Sequence, residues 1–375
     1  MPRQWAVGSG SGVLTTVHCL SPASLCLKVM RYVDENKIVR MLAGRFGARN
    51  SSVIQGIGDD AAVVHPAGSR EYWVITTDML LEDVDFRKTW MTPAQLGHKS
   101  LAVNLSDLAA MGAEPRYFTV AIALREDIEP KEWILRFYRG LSALARRHNA
   151  VLIGGDLSRS PLGVQISITA LGETFDRRVI RRAGGRPGDL LYVTGTLGKA
   201  AAGLALLQQG STKGRNSREQ SALRSHRTPE PRCEVGAWLA RHRFASCMVD
   251  LSDGLSMDLP RLCEASGTGA EISGPLLPLF PASRAWGCDP LRHAVHGGED
   301  FELLFAVPVR RAALLEASYP ARYPRITRIG RLRRGSGVNW TPHPGARMER
   351  LDPSGFDHFR RQVVTATFPA LRHPG

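Results

Sequence analysis

Six short segments of this 375-residue sequence combine acidic side chains with glycine, serine or threonine. A single aspartate beside a glycine is common in turns, so one segment alone would indicate no function. Six of them predict that strand ends and turns bring many carboxylates together, and such a cluster needs cations because like charges repel. The segments are Gly58-Asp59-Asp60, Thr76-Thr77-Asp78, Asn104-Leu105-Ser106-Asp107, Gly154-Gly155-Asp156, Asp250-Leu251-Ser252-Asp253-Gly254 and Gly297-Gly298-Glu299-Asp300.

Oxygen ligands without a histidine or cysteine companion favour Mg²⁺, which in proteins binds carboxylates, water and substrate phosphates. The hydroxyls of Thr76, Thr77 and Ser252 are suitable further ligands or phosphate donors. The neighbouring glycines let backbone N–H groups approach phosphate oxygens closely. The sequence therefore predicts phosphate chemistry assisted by magnesium.

Two common nucleotide-binding patterns do not fit the sequence. The segment from Gly195 to Ala200 has two residues between its glycines where a Walker A loop has four, and Ala200 lacks the hydroxyl that would hold Mg²⁺. It favours a plain strand-to-helix turn. The protein-kinase motifs His-Arg-Asp and Asp-Phe-Gly do not occur. Any nucleotide chemistry must therefore use another fold.

The charge balance is strongly basic, with 49 Lys and Arg against 35 Asp and Glu and a formal net charge of +14. Such a balance can indicate nucleic-acid binding. The arginines are spread over the whole chain, however, and no aromatic and basic pattern or nucleic-acid module is found. We interpret the charge as an arginine-rich surface that attracts small anionic ligands, with no nucleic-acid partner.

Hydrophobic residues make up 43% of the sequence, which excludes an intrinsically disordered chain. No uninterrupted apolar run approaches the roughly 18 residues needed to cross a membrane. The six cysteines form no C-x-x-C pair and are too few for a disulfide scaffold, so a reduced, cytoplasmic setting is expected.

The hydrophobic spacing predicts an α+β pattern of strands and helices without a strict βαβ rhythm. We divide the chain into an extension or misassigned start at 1–29, an N-terminal domain at 30–176 and a C-terminal α/β domain at 177–375 that contains a mobile loop at 211–232. Helices are predicted at 34–47, 95–110, 130–148, 199–209, 234–242 and 255–266, and strands at 60–65, 72–77, 117–124, 150–153, 163–173, 190–194 and 247–251.

These six segments, in this order and at this spacing, resemble those of the thiamine-monophosphate kinase family. The resemblance runs from about residue 34 to Gly355-Phe356-Asp357-His358-Phe359. It implies ATP-dependent phosphorylation of thiamine monophosphate to thiamine diphosphate with several Mg²⁺ ions. It also implies a two-domain fold like that of aminoimidazole ribonucleotide synthetase, in which the N-terminal sheet pairs with a second subunit in a homodimer.

The resemblance also implies roles for individual residues. Asp78, Asp156 and Asp253 would be catalytic, and Asp85, Glu299 and Phe356 would contact the thiamine end of the substrate. ATP would contact Gly155, Asp156, Arg182, Ser252 and Tyr138, with Arg181 as the competitor of Arg182. The magnesium ligands would be Asp60, Thr76, Thr77, Asp78, Asp107, Asp156, Asp250 and Asp253.

Two alternative functions remain open from the sequence. The first is another ATP-using enzyme of the same superfamily, similar to aminoimidazole ribonucleotide synthetase or selenophosphate synthetase. The second is a basic nucleic-acid-binding protein without enzymatic activity. An assay for ADP formation with and without thiamine monophosphate separates these functions.

Overall fold

The computed structural model describes residues 35–47 and 50–356. The predicted extension at 1–29 lies outside the described residues, as do positions 357–359 of the Gly-Phe-Asp-His-Phe segment. In the part that is described, no helix is long and apolar enough to cross a membrane.

The first half of the chain forms a six-stranded sheet with helices against one face. The strand order is β1-β2-β3-β6-β4-β5, and only the pair β4 and β5 is parallel. The predicted hairpin is confirmed as β2 and β3, which pair in an antiparallel register. The elements are α1 Glu35–Phe46, β1 Val53–Gln55, β2 Ala62–Val64, β3 Trp73–Leu81, α2 Pro93–Ala110, β4 Glu114–Arg125, α3 Pro130–Arg147, β5 Val151–Ser160 and β6 Gln165–Glu173.

The second half forms a seven-stranded sheet in the order β13-β12-β9-β11-β7-β10-β8, in which only β9 and β12 are parallel neighbours. The predicted α+β class is therefore confirmed. Two short 3₁₀ turns, Gly274–Leu276 and Pro281–Trp286, complete this half. Its elements are β7 Leu190–Thr194, α4 Lys199–Gln208, α5 Ser217–Arg227, α6 Cys233–Arg241, β8 Cys247–Asp250, α7 Leu255–Ser266, β9 Gly269–Ser273, α8 Pro290–His296, β10 Leu303–Val307, α9 Val309–Ser318, β11 Ile326–Arg333, β12 Val338–Thr341 and β13 Glu349–Arg350.

Helix α2 lies at the centre of the molecule, in contact with the first sheet, with α3 and α6, and with β8 of the second half. Its start is fixed by a capping box, in which Thr92 Oγ1 accepts from the N–H of Gln95 and the Gln95 side chain accepts from the N–H of Thr92. Most of its residues are buried, including polar Lys99 and Asn104. This helix therefore carries polar groups into the interface between the two halves.

Helices α2 and α3 pack closely because glycines face the contact. A Cβ atom added at Gly140 would lie 1.8 Å from the carbonyl oxygen of Ala94, and one added at Gly97 would lie 2.1 Å from that of Phe137. Neither oxygen can move without shifting a helix. The close approach of these helices therefore depends on the absence of side chains at both positions.

We expect Gly140→Ala to lower the free energy of unfolding by about 2 kcal/mol, because overpacking outweighs the better helix propensity of alanine. The matched control is Gly44→Ala in α1, where an added Cβ meets nothing within 4 Å. This control should be neutral or stabilising by up to about 1 kcal/mol. Urea unfolding measures both values, and equal effects of the two substitutions would contradict the packing argument.

The prediction of a loop over 211–232 is wrong where helix α5 forms at Ser217–Arg227. Asn216 caps this helix by accepting from the N–H of Glu219, at 2.9 Å. Ala222 and Leu223 pack against Leu206 and Leu207 of α4 in a small apolar cluster of their own. The segment has few apolar residues, so its helical periodicity is weak, and the packing against α4 selects the helix.

Candidate active site

Three aspartates from distant parts of the sequence meet between the two halves of the molecule. One carboxylate oxygen from each of Asp60, Asp107 and Asp250 lies within 4.8 Å of the others. Asp60 lies in the loop before β2, Asp107 is carried by α2, and Asp250 ends β8. We call these three residues the acidic cluster.

Hydroxyl groups orient two of the three carboxylates of the acidic cluster, those of Asp107 and Asp250. Thr76 Oγ1 donates to Asp107 Oδ2 at 2.5 Å, and Ser106 Oγ donates to Asp250 Oδ2 at 2.6 Å. Both hydroxyl donors are buried. Their hydrogen bonds fix the directions in which the remaining carboxylate oxygens point.

The electrostatics of the acidic cluster are unfavourable without a cation. Burial raises the pKa of Asp107 well above its usual range, and the charges of Asp78, Asp250 and Asp60 raise it further. Burial and the charge of Asp60 likewise raise the pKa of Asp250, although the hydrogen bond from Ser106 opposes this. Divalent cations would relieve this repulsion, and the all-oxygen donor set fits Mg²⁺.

Arg182 lies beside the acidic cluster. Its Nε donates to Asp60 Oδ1 at 3.0 Å, and its backbone N–H donates to Asp59 Oδ1 at 3.2 Å. Burial lowers the pKa of Arg182, but Asp60 and Asp59 raise it more, so the guanidinium stays charged. The structure thus places Arg182 at the cluster, whereas the backbone oxygen of its competitor Arg181 accepts from the N–H of Met248.

The loop after β8 and the loop between α8 and β10 contact each other closely next to the cluster. An added Cβ at Gly254 would lie 2.9 Å from the Gly297 oxygen, and one at Gly298 would lie 2.6 Å from the Ser252 oxygen. The N–H of Glu299 donates to the Ser252 oxygen at 2.7 Å. The glycines therefore permit the contact that places Glu299 beside Ser252.

Asp253 interacts with two residues of α7 that the sequence analysis did not single out. Arg261 Nη1 lies 2.5 Å from Asp253 Oδ2 and 2.9 Å from Asp258 Oδ1. Asp258 also accepts from the N–H groups of Asp253 and Gly254 at the start of the helix. Burial and the charge of Asp253 raise the pKa of Asp258 to about 7, against the influence of Arg261. The sequence signal that could have identified Asp258 is its position in the first turn of a helix, where an acidic side chain is favoured.

A cavity of about 500 Å³ opens next to the acidic cluster. Its apolar and aromatic lining residues include Val84, Phe86, Trp90, Leu204 and Phe356. A second cavity of about 370 Å³ lies on the other side of Asp253 and is lined by Asp59, Asp60, Thr76, Thr77 and Arg182 among others. The polar lining residues of the first cavity include Asp78, Asp107, Asp250, Ser252 and Asp253.

The three predicted substrate residues, Asp85, Glu299 and Phe356, all line the larger cavity. Asp85 Oδ2 also accepts from the N–H of Leu81 at 2.8 Å, which closes the turn after β3. The N–H of Phe356 donates to the Asp253 oxygen at 3.3 Å, which holds this end of the described chain against the site. The structure therefore brings these residues together with Asp78 and Ser252.

Gly155, Asp156 and Tyr138 lie apart from the acidic cluster. Asp156 of β5 pairs with Ala121 of β4. Ala121 also pairs with Ser167 of β6, which pairs with Met79 of β3, so these four residues form one row across the sheet with their side chains on the same face. Met79 is next to Asp78 in β3, so strand alternation places Asp156 and Asp78 on opposite faces of the sheet. Tyr138 packs edge to face on Phe137 in α3. These residues join neither cavity within the described chain.

The expectation that the acidic segments lie in turns or at strand ends is wrong for two strand residues, because Asp78 lies within β3 and Asp156 lies within β5. Asp107 lies within α2, in agreement with the helix predicted at 95–110. The ladder hydrogen bonds of β3 and β5 continue through Asp78 and Asp156, because neighbouring strands pair on past them. Local residue preference was overridden by tertiary pairing at these positions.

Family models match both halves of the chain. The model for the AIR synthase related protein N-terminal domain matches residues 58–174, and the model for its C-terminal domain matches residues 186–340. These ranges contain the three aspartates of the acidic cluster, and Arg182 lies in the short segment between the two ranges. The two matches therefore cover both sides of the site.

Relatives and solved structures match over most of their length. The thiamine-monophosphate kinase of Salmonella typhimurium is 37% identical over 88% of this chain and 97% of the relative. That of Bacillus subtilis is 32% identical over 88% of this chain and 100% of the relative. The solved structure of AaThiL complexed with AMPPCP and TMP is 30% identical, covers 87% of this chain and 97% of its own, and superposes with a TM-score of 0.75.

Proposed function

Since this chain belongs to the thiamine-monophosphate kinase family, we propose that it transfers the γ-phosphoryl group of ATP to thiamine monophosphate, giving thiamine diphosphate and ADP. The observation that carries the proposal is that Asp107 and Asp250 of the acidic cluster line a cavity of about 500 Å³. Phe86, Trp90 and Phe356 line the same cavity and suit the ring system of the substrate. A single cavity thus offers carboxylates for cations that bind phosphate and aromatic side chains for a ring.

The reaction does not require a strong general base. The acceptor is a phosphate monoester whose second pKa is about 6, so its oxygen is largely anionic at pH 7. The difficulty is repulsion between this anion and the triphosphate. Arg182 supplies one fixed positive charge at the site. The close contact between the loops around Ser252 and Gly298 holds Ser252 and Glu299, the proposed ATP and thiamine contacts, in place.

We propose that Mg²⁺ ions supply the charge neutralisation and in-line alignment of the two reactants. The residues that would hold them are the acidic cluster together with Thr76, Thr77, Asp78, Asp156 and Asp253. Asp78, Asp156 and Asp253 remain the predicted catalytic residues. Gly155, Asp156, Arg182, Ser252 and Tyr138 would contact ATP, while Asp85, Glu299 and Phe356 would contact the thiamine end.

The exposed edge of the first sheet supports a homodimer. Every residue of β5 except Ser160 is exposed, and Val151, Leu152, Ile153 and Leu157 are between 40% and 59% exposed. An uncovered apolar edge strand of this length pairs readily with another chain. We propose that a second copy covers it and supplies Asp156 to the acidic cluster, because Asp156 and Asp78 of one chain lie on opposite faces.

A cytoplasmic setting belongs to the same proposal, because the reaction consumes ATP. The four cysteines of the described chain, Cys233, Cys247, Cys263 and Cys288, are all free thiols. Burial raises the pKa of Cys247 to about 12, so this thiol stays protonated and unreactive. Stable free thiols agree with a reducing environment.

An assay of ADP formation with and without thiamine monophosphate tests the proposed function. Thiamine-phosphate-dependent ADP release, matched by thiamine diphosphate in the products, is the expected result. ADP release that ignores thiamine monophosphate would point to another ATP-using enzyme of the superfamily. Binding of RNA or DNA without turnover would overturn the proposal.

Mg²⁺ should raise the thermal unfolding temperature by several degrees, and by more at pH 8 than at pH 6. Protons compete with cations at Asp107 and Asp250, whose pKa values are raised. Without Mg²⁺ the pH dependence of the unfolding temperature has the opposite sign. The raised pKa values of Asp107 and Asp250 make the contribution of these carboxyls to stability fall as pH rises. Differential scanning calorimetry at both pH values measures this, with NaCl at equal ionic strength as the control. Equal stabilisation by NaCl would contradict it.

A further inference from the structure

The Glu299 carboxylate lies between two basic side chains that the sequence analysis did not single out. Lys99 Nζ lies 2.5 Å from Glu299 Oε1, and His226 Nδ1 lies 2.9 Å from Glu299 Oε2. The Lys99 side chain is fully buried, that of His226 is 3% exposed, and that of Glu299 is 28% exposed. Glu299 and His226 both line the cavity, whereas Lys99 lies behind the carboxylate and does not line it.

Three elements converge to build this arrangement. Lys99 comes from α2, His226 comes from α5, and Glu299 comes from the loop before β10. Helix α5 can approach because Gly203 of α4 has no side chain, since an added Cβ there would lie 2.2 Å from the Ala222 oxygen and 3.1 Å from His226 Cβ. The segment that the sequence predicted as a loop thus delivers a histidine to the site.

The charges at this point are matched. Burial by itself raises the pKa of Glu299, but Lys99 and His226 together lower it to about 2, so the carboxylate is ionised. Burial and the charge of Lys99 lower the pKa of His226, which favours the neutral imidazole. A fully buried lysine is costly unless it is paired, so the ion pair with Glu299 is held firmly.

The backbone leaves little freedom to Glu299. Its φ is +67°, in the left-handed region, and its N–H is bonded to the Ser252 oxygen. The remaining freedom is in the side chain, and both carboxylate oxygens are already engaged by Lys99 and His226. The direction of the carboxylate is therefore set by these two residues.

We propose that Lys99 and His226 are positioning residues that hold the Glu299 carboxylate toward the cavity, where it binds the cationic heteroaromatic part of thiamine monophosphate. The proposal rests on the proposed function. Phe86, Trp90 and Phe356 on the walls of the same cavity offer surfaces for a flat ring. Each oxygen of the Glu299 carboxylate keeps a further lone pair beyond the one that Lys99 or His226 uses, so the group beside aromatic walls suits a cationic ring, whereas it repels a phosphate.

The test compares Lys99→Met and His226→Leu with the full-length wild-type enzyme. We expect the KM for thiamine monophosphate to rise about tenfold or more, with the KM for ATP changed less than about twofold. His226→Asn keeps an N–H donor near the position of Nδ1 and should recover most of the loss. The matched control is Lys131→Met, which removes an exposed lysine from the first turn of α3.

A double-mutant cycle separates positioning from a general structural role. In the Glu299→Gln background, Lys99→Met should change the KM for thiamine monophosphate less than about twofold, because there is no carboxylate left to position. An effect of Lys99→Met that persists in full in that background overturns the proposal. A folded Lys99→Met enzyme with an unchanged KM for thiamine monophosphate also overturns it. Loss of the proposed function is distinguishable, because the wild-type enzyme itself would then show no thiamine-phosphate-dependent turnover.

Discussion

Replacing Asp107 with asparagine is expected to lower kcat for thiamine diphosphate formation by about a thousandfold, while the folded state without Mg²⁺ becomes at least as stable as before. Asp107 contributes one oxygen to the acidic cluster and accepts from Thr76. Asparagine keeps the shape and an accepting oxygen for Thr76, but it removes the negative charge that cations require. A thousandfold loss corresponds to about 4 kcal/mol in the activation free energy.

The opposite signs for activity and stability are the distinctive part of this prediction. Burial and three neighbouring carboxylates raise the pKa of Asp107, so its ionised form destabilises the folded chain at neutral pH. Steady-state kinetics and urea unfolding at pH 8 without Mg²⁺ measure the two quantities. Asp127→Asn is the matched control, because Asp127 is exposed and pairs with Arg125 and Lys88 at the surface. An Asp107→Asn enzyme with normal turnover would remove the acidic cluster from the mechanism.

Asp78→Asn and Asp156→Asn are each expected to lower kcat by about a hundredfold or more, and co-expression of the two variants should restore about a quarter of wild-type activity. Asp156 lies three strand spacings, or about 14 Å, from Met79 in the same row across the sheet. Its side chain is therefore on the opposite face of the sheet from that of Asp78. If a second copy supplies Asp156, a mixed dimer contains one site with both aspartates intact and one site with neither.

Mixed dimers make up about half of a random population, and one of their two sites works, which gives the expected quarter. Co-expression with two affinity tags isolates the mixed dimer for the kinetic measurement. The matched control pairs Asp78→Asn with Asp60→Asn, which should stay inactive because both residues belong to the same chain's half of the site. Ile153→Arg on the exposed β5 edge should halve the mass measured by light scattering and abolish the recovery. A mixed dimer without recovered activity would place Asp156 in the site of its own chain.

The sequence by itself determined the chemistry of this protein. The oxygen-rich segments around Asp60, Asp107 and Asp250 predicted a cation site for phosphate transfer, and the structure brings these three carboxylates together. It also determined most elements, such as the β2–β3 hairpin and helices α3, α6 and α7, because their hydrophobic spacing is strong. Residue type and periodicity are local properties, so they can be read without knowing the fold.

The tertiary structure decided which of these residues share a site. Whether Asp78 and Asp156 lie in turns or within strands, and on which face of the sheet, depends on strand pairing between residues far apart in the sequence. The same holds for Lys99 and His226, whose meeting at Glu299 requires α2, α5 and the loop before β10 to pack together. Such contacts are set by burial and long-range packing, and a polar segment such as 211–232 carries too little local signal to reveal them.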